Sequence, residues 1–323
     1  MLVQIHVVND FCKTYMPFML FRNCVYHILN EYYVNDETIK IEYIYDICSV
    51  KHEPTTIVLL NIYDITLYEN SQFVLDNILN SPANYLIVNT EYWENRGAKN
   101  IFEILEKRTQ RNMLLIEYNI INYRSIKKYY PSLLTLFLPL IYNEHLEHYY
   151  TENIHNNKIP YESKDIDVLF YGGLNDRRLD ILNKLKETCK VNIVDSHHGA
   201  TNEELCQLIE RSKIVINVLY YDYNVIFDYY RNTILLANDV LLVTEIPIEI
   251  DKNVEYWLQD IEKYLAMSTY ESLVNSTNQC LNMSVNERNI MLKKQREWFT
   301  CTNMKDIVVP FFEYFRMQGE FFV

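Results

Sequence analysis

Short unbroken apolar runs alternate along the chain with stretches in which apolar residues recur every third or fourth position. In the first half, residues 2–8, 39–45, 57–63, 85–89 and 113–117 have the length and composition of strands, while 16–33 has helical periodicity. Helical patterns near 72–79 and 100–108 fall between the later strands. Alternation of this kind predicts βαβ units and a mostly parallel sheet. Residues 133–141 are a further apolar run, broken by Pro139. The polar stretch 143–158 follows, with His145, His148 and His155 among Glu144, Glu147 and Glu152, and the domain boundary is expected there.

The second half repeats the logic. Ile166 and the run Val168, Leu169, Phe170, Tyr171 predict a buried strand, which Gly172 and Gly173 end. Asn175-Asp176 offers an N-cap with an acid in the first turn, and Ile181, Leu182, Leu185 and Cys189 give the following helix one apolar face. Strand patterns at 191–194, 214–219 and 240–243 alternate with helical ones at 202–211, 228–236 and 254–265. From residue 286 the tail has helical patterns around Trp298 and an aromatic end: Phe311, Phe312, Tyr314, Phe315, Phe321 and Phe322. The expectation is α/β, with two tandem doubly wound, Rossmann-like domains at 1–155 and 156–300. A C-terminal helical tail at 301–323 is expected to pack back on the first.

Composition changes this picture in three places. A hydrophobic content of 49% with 23% charged residues is enough for two sizeable cores. A net charge of −13 argues against nucleic acid or an anionic membrane as partner, because both need a cationic surface. An anionic ligand must then be held by local groups. The seven cysteines are scattered without a C-x-x-C, as in reduced thiols of a cytoplasmic compartment, and no apolar run approaches a membrane span.

The 165–178 stretch is where such local groups gather. A strand, a glycine turn and a helix N-terminus together expose backbone N–H groups and the positive end of the helix dipole, and glycine allows close approach to the main chain. Arg177 and Arg178 add forked donors suited to phosphate. Two of the five glycines, Gly172 and Gly173, fall in this stretch, and a third, Gly199, follows the next strand. Two competing motifs are weaker. Asp165-Ile166-Asp167 matches the D-x-D of metal-dependent GT-A transferases, but its acids begin a strand instead of ending one. Tyr123 and Lys127 match the Y-x-x-x-K of short-chain dehydrogenases, yet the first strand is followed by Asn9-Asp10-Phe11-Cys12-Lys13, with no glycine. His145 and His148 lack an implied third metal ligand.

The series YGGLNDRR (171–178), HHGATNEELCQLIERSKIVINVLYY (197–221), DYYRNTILLAND (228–239) and LLVTE (241–245) resembles the donor domain of GT-B glycosyltransferases. More narrowly, it is similar to the glycosyltransferase family 1-like proteins of bacteria and giant viruses. IVNTEYW (87–93), LIEYNIINY (115–123) and LFLPLIYN (136–143) resemble the first domain of that group. The resemblance implies transfer of a sugar from a nucleotide-sugar donor to a glycan or other hydroxyl acceptor, without metal or other cofactor. It favours Arg178, a helical turn in from the cap, for the diphosphate, beside Gly172, Gly173, Asn175 and Arg177. In such a fold His197, His198 and Gly199 line the slot for the base, Asp228 or Glu245 supplies a carboxylate for ribose, Arg231 reaches phosphate, and Tyr220 and Tyr221 wall the site. The group's usual acid after a Phe-Gly pair is missing. Ile234 lies near its place, with Asp228 and Arg231 about a turn upstream. A catalytically degenerate scaffold or partner-binding protein is therefore the alternative. On the acceptor side Glu91 is the candidate base, with Asp10 behind it.

Overall fold

The computed structural model describes residues 1–6, 16–44, 49–62, 71–89, 96–106, 113–148, 159–195, 202–222, 227–246, 255, 258 and 260–321. The chain divides into two compact units, Met1–Leu140 with Met304–Val323, and Ile141–Asn303.

In the first unit the order is β1 (Leu2–His6), α1 (Met16–Tyr32), β2 (Lys40–Ile44), β3 (Thr56–Asn61), α2 (Ser71–Asn80), β4 (Asn84–Asn89), α3 (Arg96–Glu106), β5 (Met113–Glu117), α4 (Ile120–Tyr129) and β6 (Thr135–Phe137). All pairs in its six-stranded sheet are parallel, in the order β2-β1-β3-β4-β5-β6. A parallel sheet covered on both faces needs strands apolar throughout. Thus β3 and β5 are buried at every position, and β4 at all but its first. Helix α4 is short and polar, so periodicity does not announce it. Its start is fixed by Asn119, whose side chain accepts from the N–H groups of Ile121 and Asn122.

The second unit runs α5 (Glu144–His148), β7 (Ile166–Tyr171), α6 (Asp176–Lys186), β8 (Val191–Val194), α7 (Asn202–Arg211), β9 (Ser212–Asn217), α8 (Tyr229–Ala237), β10 (Leu242–Glu245), β11 (Ala266–Ser268), α9 (Leu273–Leu281) and α10 (Val285–Phe299). Its parallel sheet has the order β11-β10-β9-β7-β8. In the region where a helix is expected at 254–265, the described residues hold Leu258 in 3-10 conformation and a 3-10 turn at Ile261–Lys263. Asp260 ahead of it has φ of +59°, outside the helical region. A capping box between Ser284 and Glu287 starts α10.

The boundary differs from the sequence expectation. The second unit begins at Ile141, and residues 142–147 carry anchors into it. Leu146 is buried, Tyr142 donates to Glu147 at 2.6 Å, and Glu147 pairs with Arg296 of α10. The last helix, α11 (Lys305–Phe321), belongs to the first unit and packs on α1. There Tyr33 donates to Glu313 at 2.9 Å and Arg316 lies 3.2 Å from Asp36. Among the described residues no helix is long and apolar enough to cross a membrane.

Candidate functional site

In an open parallel sheet ligands bind beyond the carboxyl ends of the strands, where the strand order reverses. In the second unit that point lies between β7 and β9, since the chain steps from β7 to β8 on one side and returns to β9 on the other. Gly172 and Gly173 leave β7 there, and Val218, Leu219 and Tyr220 leave β9.

Gly172 has φ of +135°, a conformation that side chains other than glycine rarely adopt. Asn175 caps α6, its Oδ1 accepting from Arg178 N–H at 3.0 Å while its Nδ2 donates to Tyr220 O at 2.7 Å. The cap thus ties the helix start to the end of β9.

The two adjacent arginines separate. Arg178 is buried, donating from Nε to Val218 O at 2.8 Å and from Nη1 to Gly173 O at 2.6 Å. Its guanidinium lies over the rings of Phe170 and Tyr220, at 5.3 and 5.0 Å. Among the described residues its side-chain hydrogen bonds go to neutral carbonyls, so no carboxylate in contact cancels its charge. Burial, and then the charge of Arg231, pull its pKa down to about 9, which leaves it protonated at neutral pH. Arg177 instead pairs through both Nη atoms with Glu245 and donates to Leu219 O at 2.8 Å. Its guanidinium stacks on Tyr270, 4.2 Å from the ring centroid. Glu245 is itself buried and also accepts from Leu219 N–H at 3.1 Å. Arg177 and Glu245 therefore hold the ends of β9 and β10 together.

The second charge at the turn comes from α8. A Cβ built on Gly172 would stand 2.7 Å from Arg231 Nη2 and 3.5 Å from Arg178 Nη1. Two guanidinium groups thus meet over a residue that has no side chain. Arg231 donates from Nη1 to Asn217 Oδ1 at 2.9 Å, and its ring neighbours are Tyr171 at 5.1 Å and Phe170 at 5.8 Å. Asp228 is the N-cap of α8, with Oδ1 accepting from Arg231 N–H at 3.2 Å and Oδ2 3.8 Å from Arg231 Nε. Tyr220 and Tyr221 stand half exposed beside the turn, their rings edge to face at 4.8 Å. Glu91, Asp10, His197, His198 and Gly199 lie outside the described residues.

Sequence reasoning passed over Asn217, Asn232 and Thr244, which support Arg231 from below. The one signal was a polar Asn217 inside the otherwise apolar run 214–219. The competing motifs are engaged elsewhere. Asp165 takes a two-pronged contact from Arg211 at 2.9 and 2.6 Å, and Asp167 pairs with Lys213 at 2.7 Å, both at the start of β7, away from Gly172. Lys127 donates to Tyr123 at 3.0 Å on an exposed face of α4. Residues His145 and His148 sit on α5, and no group of three potential metal ligands forms among the described residues.

No family model matches the sequence, and no curated protein does. Solved structures do match the fold. The structure of T4 phage BGT in complex with UDP and Mn2+ superposes with a TM-score of 0.53 at 11% identity, covering 99% of this chain and 98% of that one. The Candida albicans trehalose-6-phosphate phosphatase N-terminal domain gives 0.58 at 10% identity, covering 98% and 96%. The two parallel-sheet units and the helical tail are those of the GT-B glycosyltransferase fold.

Proposed function

We propose that the protein is a glycosyltransferase that moves a sugar from a nucleotide-sugar donor to a hydroxyl acceptor. The observation that carries this reading is the meeting of Arg178 and Arg231 over Gly172, at the strand-order reversal of the second unit. In the reaction the acceptor oxygen forms a bond to the anomeric carbon, the bond from that carbon to the donor's diphosphate oxygen breaks, and the diphosphate leaves with the electron pair. Charge thus grows on the leaving phosphate, where two fixed guanidinium groups and the N-terminus of α6 stabilise it more than they stabilise the ground state. The structure of T4 phage BGT, of the same fold, is a complex with UDP and Mn2+, which supports a nucleotide as the ligand class. Gly172, Gly173 and Asn175 shape the turn, Arg178 and Arg231 hold the diphosphate, and Arg177 with Glu245 braces it. Tyr221 walls the site, Asp228 faces the ribose, His197, His198 and Gly199 take the base, and Glu91 serves as base toward the acceptor.

The test is incubation of purified protein with a panel of nucleotide-sugars, reading release of the nucleoside diphosphate, beside thermal shifts with the matching nucleotides. The expected result is turnover of at least one donor and a melting temperature raised by a nucleoside diphosphate, as mass action requires. Binding without transfer or hydrolysis would favour the degenerate scaffold, for which the missing motif acid near Ile234 speaks. No shift with any nucleotide overturns the donor reading and leaves the partner-binding alternative.

A further inference from the structure

Among the described residues, Arg231 is the one of the two turn-facing arginines whose guanidinium donates a hydrogen bond to a side chain, and that side chain is an amide. Asn217 ends β9 fully buried, a costly place for a polar group unless every bond is made. Its Nδ2 donates to Asn232 Oδ1 and to Thr244 Oγ1, both at 3.2 Å. With its amide hydrogens so used, its oxygen is the atom left for Arg231 Nη1, at 2.9 Å. Thr244 is the in-register partner of Asn217 across β9 and β10, Asn232 follows Arg231 on α8, and both are buried. The contrast with Arg177 is informative, because there a half-buried guanidinium is met by the buried carboxylate of Glu245. A carboxylate in place of the Asn217 amide would have nearly the same shape and would pair with Arg231 as Glu245 pairs with Arg177. The amide aims Arg231 without cancelling its charge. Asp228 makes its hydrogen bond to the Arg231 backbone N–H, and its Oδ2 forms a long ion pair with Nε at 3.8 Å.

We propose that Asn217 is a positioning residue of the anion site, a neutral acceptor that holds Arg231 over Gly172 and leaves its charge to the donor's diphosphate. The proposal rests on the donor reading given above. It makes neutrality at position 217, beyond hydrogen bonding there, a determinant of donor affinity. A charge-assisted bond to one phosphate is the quantity at stake, so the effect is about tenfold or more in affinity.

The experiment compares wild type with Asn217→Asp, Asn217→Ala and Thr244→Val, using inorganic pyrophosphate as the probe in calorimetry. Thermal midpoints and the NMR signals of the Arg231 guanidinium are followed in the ligand-free proteins. Asn217→Asp is expected to keep its midpoint within a few degrees, to keep Arg231 restrained, and to bind pyrophosphate about tenfold or more weakly. Asn217→Ala should release the rotation of the Arg231 guanidinium, and Thr244→Val should loosen it partly with a smaller loss of affinity. Pyrophosphate bound by Asn217→Asp as tightly as by wild type overturns the proposal. So does a guanidinium equally restrained in all four proteins. Should the position-217 variants fail to fold, unchanged affinity and unchanged Arg231 signals in Thr244→Val overturn it. Wild type that binds neither pyrophosphate nor any nucleotide overturns the donor reading instead, while the ligand-free signals still decide whether Asn217 holds Arg231.

Discussion

Arg177 and Arg178 are consecutive in the chain, yet Arg177 is paired with buried Glu245 while the Arg178 side chain donates to the carbonyls of Gly173 and Val218. Their loss should therefore read out differently. Arg178→Gln is expected to weaken nucleoside diphosphate binding by about tenfold or more and to leave binding of the bare nucleoside nearly unchanged, since only the former carries the charge. Arg177→Gln leaves a buried carboxylate without its cation, and about 3 kcal/mol of stability should go with it. Calorimetry with both ligands and denaturant titration of both variants check the split. An equal loss of the two ligands in Arg178→Gln would make that arginine structural.

Gly172→Ala is the smallest change that tests the cradle. The added Cβ meets Arg231 Nη2 at 2.7 Å, and the φ of +135° is strained for alanine. The expected cost is about 1–3 kcal/mol of stability from the backbone, together with a displaced Arg231 and weaker diphosphate binding. A variant as stable as wild type with unchanged affinity would show that the turn has no such role.

Asp228 caps α8 with one oxygen. Asparagine caps as well as aspartate, so Asp228→Asn removes charge while the helix start is kept. If the carboxylate receives the ribose hydroxyls, donor binding should weaken by about 1–3 kcal/mol. A 2′,3′-dideoxy nucleotide should bind wild type and variant alike. Should the variant still prefer the ribo form as strongly as wild type does, Asp228 is not the ribose ligand.

Divalent metal is expected to be dispensable for transfer. Asp165 and Asp167 are occupied by Arg211 and Lys213 at the start of β7, and the guanidinium pair at Gly172 supplies the positive charge. Turnover of a nucleotide-sugar should persist in excess chelator. Activity abolished by the chelator and restored by manganese would refute this.

The first unit carries a pH-dependent element at the carboxyl ends of its strands. Glu117 is fully buried, and Asn89, its in-register neighbour on β4, donates to Oε2 at 2.6 Å. Backbone N–H groups of Tyr118 and Asn119 donate to Oε1, both at 3.0 Å. Burial outweighs these donors and pushes the carboxyl up from 4.5 to about 8. Between those values the folded protein keeps a proton that the unfolded chain has released, so stability falls as pH rises through this window and levels off above it. The thermal midpoint should decline less across that window in Glu117→Gln than in wild type. Identical slopes would mean that Glu117 is ionised throughout.

What the sequence by itself determined is the local part of this protein. Strands β3, β4, β5 and β7 are legible because a strand buried on both faces must be apolar along its length, and Gly172-Gly173 followed by Asn175 is legible because a turn and a cap are chosen by residues a few positions apart. The same locality marks Arg178 as the residue one turn into α6. Tertiary structure decided what depends on groups distant in the chain. Nothing adjacent to Arg177 announces that Glu245, on another strand, will take its charge, and nothing near Gly172 announces that Arg231 will reach it from α8. Asn217 is a polar interruption of one apolar run and Glu117 the polar end of another, and only the packing of neighbouring strands made one an aimed acceptor and the other a buried acid. The unit boundary was decided likewise, because Leu146 and Glu147 sit in a polar stretch but find their partners in the second unit. Side-chain charge is fixed by residue type, but whether that charge is cancelled or left for a ligand is fixed by which strand ends the fold brings side by side.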